Sequence, residues 1–150
     1  MVSQKGRSSL KGFKDERADF QNQIHHPVTR VRFAKKLINI SESYKVLVAE
    51  EIEADYSMGY PDELGYRAST ALPFYFFDLA NDYETSLQVH PVVAAESWVR
   101  KNPPQKVISA IEKLHQKRVF AQAETNLALS HRIFEKSINN SPYFLSLIHI

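Results

Sequence analysis

The longest regular pattern in this chain runs from Asn102 to Asn140, where apolar side chains recur every three or four residues. That spacing places them on one face of an amphipathic helix. Asn102 suits the N-cap position of such a helix, and Pro103 suits its first turn. Asn140 and Pro142 are typical of a helix end. We therefore predict one long helix over 102–140.

Helical spacing also recurs in other parts of the chain. Residues 28–55 fit either two helices, with Ser41 capping the second, or one unbroken helix. A shorter helix is predicted to open at His90-Pro91 and to continue through Lys101. Together these patterns predict an all-α fold, a single irregular bundle of five or six helices with one long C-terminal helix.

The most apolar segment of the chain is 72–87, which contains a cluster of aromatic residues around Pro73. Its later apolar residues fit a helical face, and a proline is compatible with a first turn, so we predict a helix. A buried strand over Phe74–Phe77 is the alternative, because short apolar runs have no decisive period. The predicted core of the whole chain is Leu37, Leu47, Ile52, Leu72, Phe76, Leu79, Tyr83, Trp98, Ile111, Leu127 and Phe134.

Three regions are expected along the chain. Residues 1–26 are predicted to be a basic flexible tail with a weak helix, and residues 27–144 a helical domain. Residues 145–150 are an apolar string that matches one reading frame of the adapter used in transposon-based sequencing libraries. We interpret them as a sequencing-adapter scar. On this interpretation the domain is truncated, and the natural protein continues beyond Phe144.

Composition excludes several kinds of chemistry. The chain has no cysteine, which rules out disulfides, thiolate zinc sites and cysteine nucleophiles. Its four glycines are not spaced as in a phosphate-binding loop, and adjacent histidines such as His25-His26 rarely chelate one ion. We therefore predict no catalytic, cofactor-binding or metal-binding residue in these 150 residues. Whether the parent protein is an enzyme stays open.

Charge is unevenly distributed along the chain. Residues 1–40 contain nine Lys and Arg against three Asp and Glu, whereas residues 41–63 contain one basic and seven acidic residues. The basic segments are candidate contacts for DNA phosphates, or they complement the acidic segment within one fold. In the long predicted helix and just before it, the possible nucleic-acid contacts are Arg100, Lys101, Lys106, Lys113, Lys117 and Arg118.

The run from Asn126 to Phe134, followed by Ile138 to Phe144, resembles a region early in the replication gene A proteins of temperate tailed phages. Its distinctive part is Ser141-Pro142-Tyr143-Phe144. Members of that family are rolling-circle replication endonucleases, which use tyrosines and a histidine-bound metal. No catalytic residue carries over, because the family's His-x-His motif and catalytic tyrosines lie downstream of the matching region.

Two functions follow as hypotheses. The resemblance implies a non-catalytic N-terminal helical region of a larger DNA-processing protein, such as a phage replication initiation endonuclease, that contacts DNA through its basic segments. The alternative is a helical protein–protein interaction module without enzymatic activity, which docks a protein partner through the long helix or the aromatic segment. No apolar run is long enough to cross a bilayer, so we expect no membrane partner and a cytoplasmic location.

Overall fold

A computed structural model describes residues 11–33, 39–121 and 124–129 of the chain. Over these residues it shows a mixed α/β fold with two sheets, so the prediction of an all-α helical bundle is wrong. The elements in chain order are α1 (Lys11–Ile24), β1 (Arg30–Val31), α2 (Ile40–Ala49), β2 (Ala54–Asp55), β3 (Phe74–Asp78), β4 (Tyr83–Val89), β5 (Val92–Ala95), α3 (Glu96–Lys101), α4 (Pro104–Ala121) and β6 (Asn126–Ala128).

The first of two compact units contains the described residues up to Met58 together with Pro73–His90. Its sheet has the strand order β1-β2-β4-β3. β1, β2 and β4 are parallel to one another, and β3 pairs antiparallel with β4. The carboxyl ends of the three parallel strands therefore lie at the same edge of this sheet.

Helix α2 supplies the core of the first unit by packing against β3 and β4. It begins after Asn39, whose Oδ1 accepts the N–H of Glu42 at 3.3 Å, rather than at the predicted cap Ser41. Tyr44 meets the ring of Phe76 edge-on, with ring centroids 5.1 Å apart. The parts of 28–55 predicted as helix on either side of α2 contain β1 and β2 instead. Strands of two residues are too short to show an alternating pattern.

The aromatic segment forms a hairpin instead of the predicted helix. β3 and β4 pair around a loop over 79–82, and Asp82 in that loop has a φ of 54°. Burial alternates along β3, so that neighbouring side chains point to opposite faces of the sheet. The alternative prediction of a strand at Phe74–Phe77 therefore describes this segment better. The loop has no glycine or proline, and its turn signal in the sequence is the pair Asn81-Asp82, which the helix prediction did not use.

The second unit contains Gly59–Leu72 and the described residues from Pro91 onward. β5 and β6 pair in parallel, and α3 and α4 cover a buried cluster. The cluster consists of Val93, Ala94, Trp98, Val99, Val107 and Ile111. The predicted long helix is too long, because α4 ends at Ala121 and Asn126–Ala128 is a strand. Apolar residues continue at a spacing of three or four beyond the end of α4, so the sequence pattern does not show where this helix ends.

The predicted core is confirmed in part. Leu47, Ile52, Trp98 and Ile111 are buried, and Phe76 and Leu127 are partly buried. Leu79 and Tyr83 are exposed, because they lie at the turn of the hairpin, away from the core of the first unit. Leu72 is exposed in the loop before β3. Leu37 and Phe134, residues 1–10, and the stretch from 130 to 150 with the proposed scar lie outside the described residues. None of the helices in the described part of the chain has the length and apolar character that a membrane span requires.

Candidate functional site

A buried polar network lies at the carboxyl ends of the parallel strands in the first unit. Asp55 ends β2, and its Oδ2 accepts the Tyr44 hydroxyl at 2.9 Å and the Ser57 N–H at 3.1 Å. Its Oδ1 accepts the Ser57 hydroxyl at 2.5 Å. Ser57 Oγ in turn accepts the backbone N–H of Phe33 at 2.8 Å. The network therefore ties the ends of β1 and β2 to α2.

This network has a structural role. Burial raises the pKa of Asp55, against the hydrogen bonds from Ser57 and Tyr44 and the charge of His90, which lower it. Ligands often bind at the carboxyl ends of parallel strands. Here, however, Asp55 is 0% exposed and both of its oxygens accept protein donors. A carboxylate enclosed in this way fixes the geometry of the strand ends and has no oxygen left for a substrate.

The outer face of the same sheet, opposite α2, carries polar and aromatic side chains. The strand registers place Arg30, Ala54, Gln88 and Tyr75 side by side on this face. One pair of positions further along β2 and β4, Tyr56 and His90 stack with ring centroids 4.5 Å apart and planes at 16°.

The stacked ring of His90 is held by a neighbour on its own strand. Its Nε2 lies 3.1 Å from Oε1 of Gln88. Two adjacent strands therefore present a rigid aromatic and amide surface at this end of the outer face.

The most exposed apolar surface of the first unit is on the β3–β4 hairpin. Tyr75 is 49% exposed and Phe77 44% exposed, and both side chains lie on the outer face of β3. Leu79, at the start of the hairpin loop, is 88% exposed. Contiguous exposed apolar side chains are typical of sites that bind another macromolecule. We call Tyr75, Phe77 and the backbone between them the β3 edge.

One side of the β3 backbone pairs with β4. The other side has no strand partner among the described residues. Gln88 donates its N–H to the carbonyl of Glu53, just before β2, at 2.8 Å, and His90 donates its N–H to the carbonyl of Asp55 in β2 at 2.9 Å. Because backbone groups alternate along a strand, Gln88 cannot also hydrogen-bond its partner Tyr75. The carbonyl of Phe76 does face β4, where the Thr85 hydroxyl donates to it at 2.7 Å. The N–H and C=O groups of Tyr75 and Phe77 therefore point away from β4.

The six residues predicted individually as DNA contacts are all in the second unit, and the structure separates them into two sets. Arg100 and Lys101 lie in the last turn of α3 and form ion pairs. The Arg100 Nη2 is 2.5 Å from Glu96, and the Lys101 Nζ is 2.7 Å from Asp62. The hydrogen bond from Lys101 lowers the pKa of Asp62. These two cations are therefore already balanced by carboxylates.

The remaining predicted contacts lie on α4. Lys106 and Lys113 are exposed and are seven positions apart, which puts them on the same side of the helix two turns from each other. Neither forms an ion pair with another described residue. Lys117 and Arg118 follow on the same helix, and their side chains lie outside the described part of the structure.

The sequence interpretation missed the β3 edge because it assigned its aromatic residues to a core helix. The signal was present in the alternation of the strand alternative, in which Tyr75 and Phe77 share one face and Phe74 and Phe76 the other. In the ranges that the structure describes, no cluster of His, Asp and Glu side chains is arranged to hold a metal ion. Comparison with protein-family models, with curated proteins and with solved structures finds no match to this chain.

Proposed function

We propose that this chain is a protein-interaction module in which the β3 edge accepts an extended segment of a protein partner. The observation that carries the proposal is the coincidence of outward-pointing backbone groups with half-exposed aromatic side chains at Tyr75 and Phe77. Strand addition uses both features, since main-chain hydrogen bonds provide affinity and alternate side chains provide specificity. The module is not helical at its binding surface, unlike the interaction module expected from the sequence.

The composition of β3 also supports strand addition. Proteins usually protect an edge strand with lysine, proline or a bulge on that strand. β3 contains no lysine or proline, and its irregular pairing is accommodated by additional residues on β4. Its one charged residue, Asp78, is buried and forms an ion pair with Lys45 at 3.2 Å. Asp78 is an inward-pointing charge, which is another way to protect an edge, but it ends the strand and leaves Tyr75–Phe77 without lysine, proline or charge. That part of the edge is suited to accept another strand.

The test is selection of random ten-residue peptides displayed on phage, with the whole chain as bait. We expect enrichment of peptides with alternating apolar residues, because side chains on one face of an added strand meet Tyr75 and Phe77. Phe77→Lys should abolish binding of the selected peptides. Ile24→Lys is the matched control, because Ile24 is 39% exposed but lies at the end of α1. Failure to enrich any peptide, or equal binding to Phe77→Lys, would refute the proposal.

DNA contact is a second candidate function, favoured by the unpaired state of Lys106 and Lys113 among the described residues. It would suit the N-terminal region of a DNA-processing protein, as the resemblance to phage replication proteins implies. Two cations on one helix face provide few phosphate contacts. Binding would therefore be weak and independent of sequence, and its salt dependence would be shallow, because the salt dependence scales with the number of phosphates neutralised.

The second candidate is tested by titrating labelled single- and double-stranded DNA at low and moderate salt. The variant Lys106→Ala/Lys113→Ala should weaken binding at low salt. The matched control is Arg100→Ala/Lys101→Ala, which removes two cations that already pair with carboxylates and should weaken binding less. Absence of binding at low salt, or an equal loss in both variants, would exclude Lys106 and Lys113 as the DNA contacts.

A further inference from the structure

We propose that a second copy of this chain occupies the β3 edge, by antiparallel pairing of β3 with β3 of the partner about a two-fold axis at Phe76. This inference rests on the proposed function and names the partner. It requires that β3 be complementary to itself in both its backbone groups and its side-chain faces.

The backbone groups of β3 satisfy the first requirement. With the axis at Phe76, Tyr75 of each copy lies opposite Phe77 of the other. Both residues direct their N–H and C=O groups away from β4, so each such pair can exchange two hydrogen bonds, as in an antiparallel ladder. Phe76 lies opposite its own copy as a pair without hydrogen bonds. This agrees with its carbonyl facing β4.

Neighbouring registers fit less well. An axis at Tyr75 would place Phe77 opposite Pro73, which has no N–H to donate. An axis at Phe77 would place Tyr75 opposite Leu79, which belongs to the hairpin loop and not to β3. The Phe76 register is thus the one in which both outward-facing residues of β3 pair within the strand.

The side chains satisfy the second requirement. Residues opposite each other in a sheet share a face. Tyr75 and Phe77 both lie on the outer face, so the pairing brings four exposed rings together there. Phe74 and Asp78, which would also be opposite each other, both lie on the inner face. No side chain has to change face when the two strands pair.

Charge does not oppose this pairing. Glu84 is the cross-strand neighbour of Phe77 on the outer face, and is the acidic residue beside the proposed interface. The two Glu84 side chains would be three strand spacings apart across the sheet, roughly 14 Å, and would also be offset from each other along the strands. That separation exceeds the Debye length of about 8 Å at physiological salt, so their repulsion is largely screened.

The surface available predicts a weak dimer. A fully buried aromatic side chain contributes about 150–250 Å², and these four rings are already half covered. The total stays below the roughly 1,200 Å² of a standard stable interface. We therefore expect association that depends on protein concentration, and a monomer at high dilution.

Sedimentation velocity and cysteine cross-linking together test the pairing. Sedimentation from about 10 μM to about 500 μM should show a monomer–dimer equilibrium. Phe77→Lys should raise the midpoint concentration at least tenfold, and Ile24→Lys should leave it unchanged.

Register is tested by disulfide formation, which is possible because the natural chain has no cysteine. Residues paired by hydrogen bonds in an antiparallel sheet have Cα atoms about 5.5 Å apart, within the range that a disulfide spans. A mixture of Tyr75→Cys and Phe77→Cys chains should therefore cross-link on mild oxidation far faster than either variant alone. Equal rates in the mixture and in the single variants would overturn the proposed register.

The two proposals fail in different ways. A chain that stays monomeric at every concentration but binds selected peptides through the β3 edge overturns self-pairing and supports the interaction module. A chain that neither dimerises nor binds peptides overturns both.

Discussion

Asp55 is buried, which disfavours its ionised form, and hydrogen bonds from its neighbours offset this effect. Burial raises its pKa, while donors from Tyr44 and Ser57 stabilise the ionised form. Because the folded-state pKa lies above the unfolded value, the contribution of Asp55 to stability is full below the unfolded pKa. That contribution is lost as pH rises through the folded pKa. The donors therefore matter most at neutral pH.

Tyr44→Phe tests this compensation at a single atom. It removes the hydroxyl that donates to the buried Asp55 carboxylate, whose Oδ2 then keeps only the Ser57 N–H as a donor, so we expect a loss of about 1.5–3 kcal/mol in unfolding free energy at pH 7. The loss should shrink as pH falls and Asp55 becomes protonated. Urea denaturation at several pH values measures both effects. Tyr83→Phe is the control, because Tyr83 is exposed. Equal effects of the two variants would contradict a role for the Tyr44 hydroxyl.

At the scale of one element, α2 ends in a turn whose backbone favours glycine but whose sequence has glutamate. Ile52 donates its N–H to Leu47 O and Glu51 donates to Val48 O, both at 3.0 Å, which is the Schellman pattern. The residue in the left-handed position of this turn is Glu51, with a φ of 54°. Ile52 and Leu47 are both buried, so the apolar contact that accompanies this motif is in place.

Glu51→Gly should therefore stabilise the first unit. Glycine adopts this conformation without the steric cost that an L side chain carries, and the gain should be about 0.5–1 kcal/mol after the larger entropy of the unfolded chain is subtracted. Glu51→Ala is the control, because it removes the same charge and keeps the left-handed strain. Thermal or urea unfolding of the three proteins measures the difference. An equal gain from alanine would mean that charge, not backbone strain, governs this position.

A helix or strand could be predicted from the sequence only where it is long enough for its apolar residues to show a periodic spacing. α4 is an example, since Ile108 and Ile111 repeat at helical spacing after a recognisable start. Its end could not be predicted, because Leu127 continues the same spacing although it lies in β6. β1 and β2 have two residues each and carry no pattern at all. They form because β2 pairs with β4, which is distant in sequence, and β1 in turn pairs with β2.

At the scale of the whole molecule, the sequence shows which residues are apolar. It does not show which of them face a core and which face solvent. Exposed Phe77 and buried Leu47 are both apolar in the sequence, and only the strand pairing distinguishes a sheet surface from a core. The β3 edge could therefore not be located before the hairpin was known. The candidate DNA contacts were located on a helix correctly, but the ion pairs of Arg100 and Lys101 depend on the fold.

The most direct test of an open β3 edge is amide hydrogen exchange of the dilute chain, residue by residue, with and without a selected peptide. The amides of Gln88 and His90 donate to the carbonyls of Glu53 and Asp55, so they should exchange slowly in both samples. The amides of Tyr75 and Phe77 should exchange fast in the dilute free chain and slow markedly when the peptide is bound. Slow exchange at Tyr75 and Phe77 in the dilute free chain, or no change at saturating peptide, would contradict an open edge that accepts a strand.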